Sequence, residues 1–467
     1  MSTAHHAFDA IPELAGVATY ESAAEPGLSV AENGRRLLRY HWVERRLMSI
    51  MVARITATPV WELKCALALH QWQCAEHADA LRTRIGEMRN PVPALDAPPE
   101  NDPTSAALER FLAALDFAAD ASEFATGIYG VALPALSAAY RKHIETTNPL
   151  VDHPTVRALR FIVRETEDAV AWGVPAIETL CGNASTAVRA EAWRDQLEAL
   201  LADAGGIAGD QPRPRAGVAQ PAGQPPADRF VPRRDERFRG QYNFEFPPHV
   251  VYSRPDVPAA ERNLALLCKR ALEMDVPEMM ASFMTERTDQ PWEFYRDYSR
   301  QMWDEARHAM MGTVALQARG VDWKRDVPLN VSFALRLNLY ATPVERQTML
   351  YAIEQSLMPA ATGKRFEYET AVAAGDELSA HFHDYDWADE VLHAQIGRRL
   401  LKREGISSQD AADRAHDVHE KTWAALDRYR DREPQHNWWP DFVQKTLGVP
   451  SAVAGTKDLG PINVFSE

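Results

Sequence analysis

The sequence predicts an all-α chain built as two helical bundles in tandem. Three observations carry that expectation. Apolar residues recur at three- and four-residue steps over long stretches, as amphipathic helices require. A segment rich in Pro and Gly, from 204 to 258, interrupts them. One helix of the first block also lies over one of the second without a gap.

Residues 1 to about 28 are mixed, with Gly and Pro, and form an irregular lead-in. From Val30 to Ile55 the helical steps run through Leu37, Leu38, Trp42, Leu47, Ile50, Met51 and Ile55. Thr58-Pro59 stops that helix, and Pro59 suits the first turn of the next, which runs to about Met88. Asn90-Pro91 opens a Pro-rich loop to Pro103. Helical pattern returns over about 105–143, broken near Gly127 to Pro134, and again over about 154–202. Residues 1–203 are therefore expected to form an N-terminal bundle.

Between 204 and 258, Gly205-Gly206 and prolines 212, 214, 221, 225 and 226 cannot propagate a helix, so this stretch is expected to be a linker. Its arginine-rich end, RFVPRRDERFRGQ, is read as lying across an acidic bundle surface. Four more helices are expected over 259–286, 291–319, about 343–374 and about 376–403. Pro277 and Pro359 fall inside the first and third and are expected to kink them. Residues 259–406 make the second bundle. Residues 407–467 add one helix, to about Asp431, and an irregular tail from near Pro434.

Composition narrows the function classes. A net charge of −15 argues against a nucleic-acid binder. The four cysteines (Cys65, Cys74, Cys181, Cys268) show no metal-binding or disulfide spacing, which points to a reducing compartment. No signal-peptide pattern and no run of 18 apolar residues is visible, so a cytoplasmic protein with no membrane partner is expected.

The chemistry is concentrated in a pattern that occurs twice. Asp304-Glu305-Ala306-Arg307-His308 is echoed by Asp389-Glu390-Val391-Leu392-His393. Residues three apart on a helix face the same way, so Glu305 with His308 and Glu390 with His393 can each aim a carboxylate and an imidazole at one point. Two such pairs on facing helices need one further Glu from each of two other helices to hold two metal ions. Glu273 and Glu305 each lie about 16 residues from the turn near Asp289, so they should meet at one level, and Glu278 is the alternative. Glu354, 36 residues before Glu390 on an apolar stretch, ranks above Glu367 and Glu369. Asp304 and Asp389 are placed to accept a hydrogen bond from the histidine of the opposing helix. Asp386, four residues before Glu390, lies on the same face and is a further ligand candidate. His383 is two turns before Glu390 and could line an entrance. Tyr351 and Tyr385 are read as packing residues.

Glu273, Glu305, His308, Glu354, Glu390 and His393 supply four carboxylates and two imidazoles, a donor set that suits iron or manganese. Together, the two Asp-Glu-x-x-His motifs and the upstream Glu273 and Glu354 resemble the ferritin-like di-iron carboxylate superfamily. DEARH (304–308) is similar to the form in its oxygen-activating members. The ligand resemblance spans roughly 260–400; over 30–200 it is architectural. The departures are the long second spacing and Pro359 just after Glu354. The resemblance implies two ferritin-like four-helix bundles, with two iron ions in the second (Fe/Mn or Mn/Mn are alternatives) and dioxygen as co-substrate. The expected function is an oxygen-dependent oxygenase or oxidase acting on a small organic substrate, with room for an external electron donor and a homodimer. The competing classes are a metal-binding or storage protein and a structural protein with a vestigial site.

The internal duplication supports placing the site in the second block alone. Residues 61–78 lie over 292–309, matching Trp61 with Trp292, Trp72 with Trp303 and His77 with His308. Cys74 falls where Glu305 stands. The fourth helix of the first block offers Glu165 with Asp168 in place of a Glu-x-x-His. His77 is therefore expected to be a core histidine bonded to a neighbour such as Glu44 or Glu123, and the first bundle to be degenerate.

Overall fold

The computed structural model describes residues 10–88, 95–99, 102–215, 217–219, 223–244, 246–430 and 437–453. The described residues are helical with no strand, so the chain is all-α. No described helix is long and apolar enough to cross a membrane. Parts of the expected lead-in, of the 90–103 loop, of the linker and of the tail lie outside the described residues.

The chain divides into two compact units, residues 1–50 with 73–227 and residues 51–72 with 228–467. The segment 51–72, which the sequence pattern assigns to the first bundle, thus belongs to the second unit. The 204–258 segment, expected to be a linker, is shared between the units and is not a free spacer. Phe244 packs with Val331, Leu335 and Leu426.

In unit 1 the main helices are Val30–Ile55, Trp61–Glu87, Ser105–Leu115, Leu133–Thr146, His153–Leu180 and Ala184–Asp203. The first two end and begin in unit 2. The expected break near 127–134 is a wide helical turn over Thr126–Ala132, and it lets the chain continue instead of stopping. The stretch expected as one helix over 154–202 is two. Asn183 caps the second, its side chain accepting from Thr186 N. Buried Arg39 donates to the carbonyls of Ala204, Gly206 and Ile207, so the chain leaving that helix keeps its backbone acceptors satisfied.

Unit 2 holds the second set of helices: Ala259–Leu272, Asp275–Glu286, Trp292–Gln317, Ser332–Tyr340, Pro343–Ser356, Lys364–Ala373, Glu377–Arg403, Ser408–Arg430 and Trp439–Leu447. Four limbs close around one core. The 292–317 helix packs on 259–272 and 275–286, while 377–403 packs on 343–356 and 364–373. The ring is completed by 292–317 against 377–403 and by 259–272 against 364–373. Close approach is built in: a Cβ on Gly312 would lie 2.4 Å from the Ala271 nitrogen.

Both proline interruptions resolve into breaks. The stretch 259–286 divides at Glu273-Met274, and Pro277 falls in the first turn of the following helix, where its missing N–H costs no hydrogen bond. The stretch 343–374 divides over Leu357–Gly363, around Pro359. A Cβ on Gly363 would stand 2.0 Å from the Leu357 carbonyl oxygen, so only glycine fits where the chain folds back to start again at Lys364. Among the described helices of nine residues or more, two were not expected, Ser332–Tyr340 and Trp439–Leu447. The second lies in the tail expected to be irregular and is anchored by Trp439 Nε1 donating to buried Glu261 (2.9 Å).

Candidate metal centre

The two repeated motifs lie on the paired helices 292–317 and 377–403, and their imidazoles approach to 5.8 Å between ring centres. All six sequence-predicted ligands come to this region, five of them buried and Glu273 partly so. They separate into two pockets that share a wall.

In the first pocket, donor atoms of Glu305, Glu354, Glu390 and His393 all lie within 4.8 Å of one another. His393 Nδ1 is 3.2 Å from Glu305 Oε1 and 3.3 Å from Glu390 Oε2. Gln301, one turn before Glu305, donates to Glu354 Oε1 (2.9 Å) and fixes that carboxylate. In the second pocket, Glu273, His308 and Asp386 meet the same limit. His308 Nδ1 is 3.2 Å from Asp386 Oδ1, and 3.8 Å from both Glu305 Oε2 and Glu390 Oε1. Glu305 and Glu390 each turn one oxygen toward one histidine and the other oxygen toward the other. Two ions held by His393 and His308 would find these two carboxylates between them.

The far nitrogens of the imidazoles face the neighbouring aspartates, as helix spacing suggested. His308 Nε2 is 3.1 Å from Asp389 Oδ2, and His393 Nε2 is 3.4 Å from Asp304 Oδ2. Arg307 binds both aspartates, 2.7 Å from Asp389, and Arg300 Nε lies 2.8 Å from Asp304. These contacts fix the ring orientation and leave each Nδ1 directed at its pocket.

Two cations reach into the same core. Lys364, fully buried, places Nζ 2.9 Å from Glu390 Oε1, 3.0 Å from Asp386 Oδ2 and 3.9 Å from Glu273 Oε1. Arg270 binds Glu273 (2.9 Å), Asp386 and Glu367 (2.7 Å), and comes within 3.1 Å of His383 Nδ1. Glu367, His383 and Asp386 form a third carboxylate–histidine cluster. Arg270 and Lys269 neutralise it, so it extends the second pocket's polar wall.

Electrostatics follow from this dense burial. Burial works against a charged His393, but Asp304, Glu305 and Glu390 outweigh it and hold its protonated form well above the usual histidine range. His308 is raised in the same way, chiefly by Asp386. Burial and then the Glu390 carboxylate push Glu354 well up. Glu390 is held down against its own burial by the neighbouring positive charges of Lys364 and His393. Asp304, opposed by burial but bonded to His393, Arg300 and Arg307, is lowered to about 2.

The donor set fits a metal on an observation independent of motif. Glu305 Oε1, Glu354 Oε2, Glu390 Oε2, Asp386 Oδ2 and the Nδ1 atoms of His308 and His393 are buried and make no hydrogen bond of good geometry, Asp386 Oδ2 having only the ion pair with Lys364 (3.0 Å). Buried polar atoms are seldom left so. Six of them converging on two points is the arrangement that coordination would satisfy.

Other weighed residues lie elsewhere. Glu278 is buried with Lys64 and Arg234 and is absent from both pockets. Glu369 is exposed and pairs with Arg365 (2.8 Å). Tyr351 shares a hydrogen bond with Ser408 (2.7 Å), and Tyr385 is 57% exposed. The Arg-rich segment, expected across an acidic surface, binds exposed Glu62 through Arg237 (2.6 Å) but also buries Arg234 against Glu278 and Asp275. In unit 1, His77 sits between Glu44 (3.1 Å) and Glu165 (2.8 Å) with no third metal donor grouped there among the described residues. Asp168 turns away to Arg164.

Sequence reasoning missed Lys364, Arg270 and Gln301. A signal existed for two of them: Arg270 is three residues before Glu273 and Gln301 four before Glu305, each on the helix face of a predicted ligand. Lys364 carried none, because its position depends on the Pro359–Gly363 reversal. Comparisons with protein-family models, curated proteins and solved structures give no match.

Proposed function

We propose that this chain is a ferritin-like, non-haem di-iron oxidoreductase, an oxygenase or oxidase that uses dioxygen on a small organic substrate. In this reading the two units are tandem ferritin-like bundles and only the second keeps a ligand set. The observation that carries it is the sharing of Glu305 and Glu390 between two histidine-bearing pockets. His393 and Glu354 would hold one ion, and His308, Glu273 and Asp386 the other. Manganese could replace one or both irons, because the same oxygen and nitrogen donors hold both metals.

Bound metals here would supply the electrons and open coordination positions that dioxygen activation needs. The chain's residues do the rest. Asp389 and Asp304 orient the imidazoles, and Gln301 steadies Glu354. Met302, Ala306 and Ala309, all buried, keep water from the inner face of the 292–317 helix. Catalysis beyond one turnover requires an external electron donor. Free, unpaired cysteines fit a cytoplasmic setting.

The test is oxygen uptake by full-length chain loaded anaerobically with Fe(II). An enzyme of this kind consumes dioxygen in proportion to chain at about two irons per chain, and His393→Ala does not. Oxidation of many irons per chain would favour storage, and uptake no faster than that of free Fe(II) would overturn the oxidoreductase reading.

A further inference from the structure

We propose that Lys364 is a built-in cation of the second pocket, so that the two metal positions are unequal and the second fills only when this ammonium withdraws. The proposal rests on the dimetal reading above and deepens it.

The placement is specific. Nζ of Lys364 faces carboxylate oxygens of Asp386, Glu390 and Glu273 at 2.9–3.9 Å. Asp386 and Glu273 are two of the three donors of that pocket, and Glu390 is one of the carboxylates shared with its neighbour. A metal ion would require the same oxygens at about 2.0–2.2 Å. The two cations therefore compete for one set of donors. Arg270 already binds both Glu273 and Asp386 and adds a second positive charge on the same side.

The first pocket is different. Among the described residues no Lys or Arg lies within ion-pair distance of Glu305 or Glu354, and the ion-pair partners of His393 are the carboxylates Asp304, Glu305 and Glu390. Glu390 alone links the pocket to Lys364. An ion entering there meets no Lys or Arg at three of its four donors.

Nor is Lys364 there by default. A buried ammonium is costly unless paired, and the chain reverses direction at Gly363, where no other residue fits, to begin the 364–373 helix with this lysine. Lys364 opens that helix, its backbone N bonded to the Leu357 carbonyl (3.0 Å) beside the bond from Gly363 N to the Pro359 carbonyl (2.8 Å), so withdrawal of the ammonium is a rotation of its own side chain.

Mn(II) titrated into chelator-treated full-length chain, followed by elemental analysis and electron paramagnetic resonance, tests this. Wild type should bind one Mn(II) tightly and a second on the order of a hundredfold more weakly, as expected for a like charge a few ångströms away. K364M keeps the apolar stem and removes the charge. It should bind the two ions within about tenfold of each other and show the spectrum of a coupled pair. K364Q serves the same purpose if circular dichroism shows K364M unfolded. Two ions of equal affinity in wild type, or a second affinity unchanged in the folded variant, would overturn the proposal and leave the dimetal reading standing. No Mn(II) bound by any of the chains would overturn both.

Discussion

Nε2 of His308 lies 3.1 Å from Oδ2 of Asp389, on the opposite helix of the pair. The reciprocal contact joins His393 to Asp304. Each Asp-Glu-x-x-His helix therefore orients the imidazole that the other will use, which explains why the two motifs begin with aspartate. Asp389→Asn keeps the size of the side chain and removes its charge. Metal affinity should fall about 10- to 100-fold with helix content unchanged, as measured by Mn(II) titration and circular dichroism. Unaltered affinity would mean that the aspartate serves only Arg307.

Glu273 and Glu278 were the two candidates for one position, and the structure separates them. Glu273 lies beside His308 and Asp386, while Glu278 is fully buried against Lys64 and Arg234. Removing one member of a buried ion cluster strands the others. Glu278→Gln should cost about 3–5 kcal/mol in denaturant unfolding and leave metal stoichiometry unchanged. Glu273→Gln should weaken the second metal position at a smaller stability cost, because Arg270 keeps Asp386 and Glu367 as partners.

His77 gives unit 1 a pH signature. Burial opposes its charge, but Glu44 and Glu165 prevail and raise it from 6.5 to about 9. Below pH 6.5 the imidazolium is present both folded and unfolded, and its contribution is complete. As pH rises from 6.5 the unfolded chain releases this proton first, so stability declines until the folded group also titrates near 9. The loss is roughly 3 kcal/mol. Unfolding free energies measured across pH 6–10 should show this decline in wild type, and it should be absent in His77→Gln.

The residues also show what a sequence can reveal about such a fold. Glu305, His308, Glu390 and His393 were legible because helix geometry alone puts residues three apart on one face. Val30–Ile55 was legible because its apolar steps are unbroken. Glu273 followed from counting outward from a turn. Lys364 was invisible because a lysine 26 positions before Glu390 has no periodic relation to it. It arrives there through a reversal whose geometry depends on Gly363. Residues 51–72 were misassigned for a similar reason: the helical pattern runs on through Ile50 and Trp72, while the packing partners change. The Ser332–Tyr340 helix, nine residues long, is too short for its periodicity to stand out. The 439–447 helix follows a run of polar residues that suggested only a tail.

The central claim is that this chain carries a metal centre made from its paired motifs. Metal content per chain, by elemental analysis after anaerobic Fe(II) loading and desalting, tests it most directly, with wild type beside Glu305→Ala and His393→Ala. The account predicts between one and two irons retained by wild type, the second depending on the excess supplied, and neither retained by the folded variants. Wild type that retains no iron, or variants that retain as much as wild type, would contradict it.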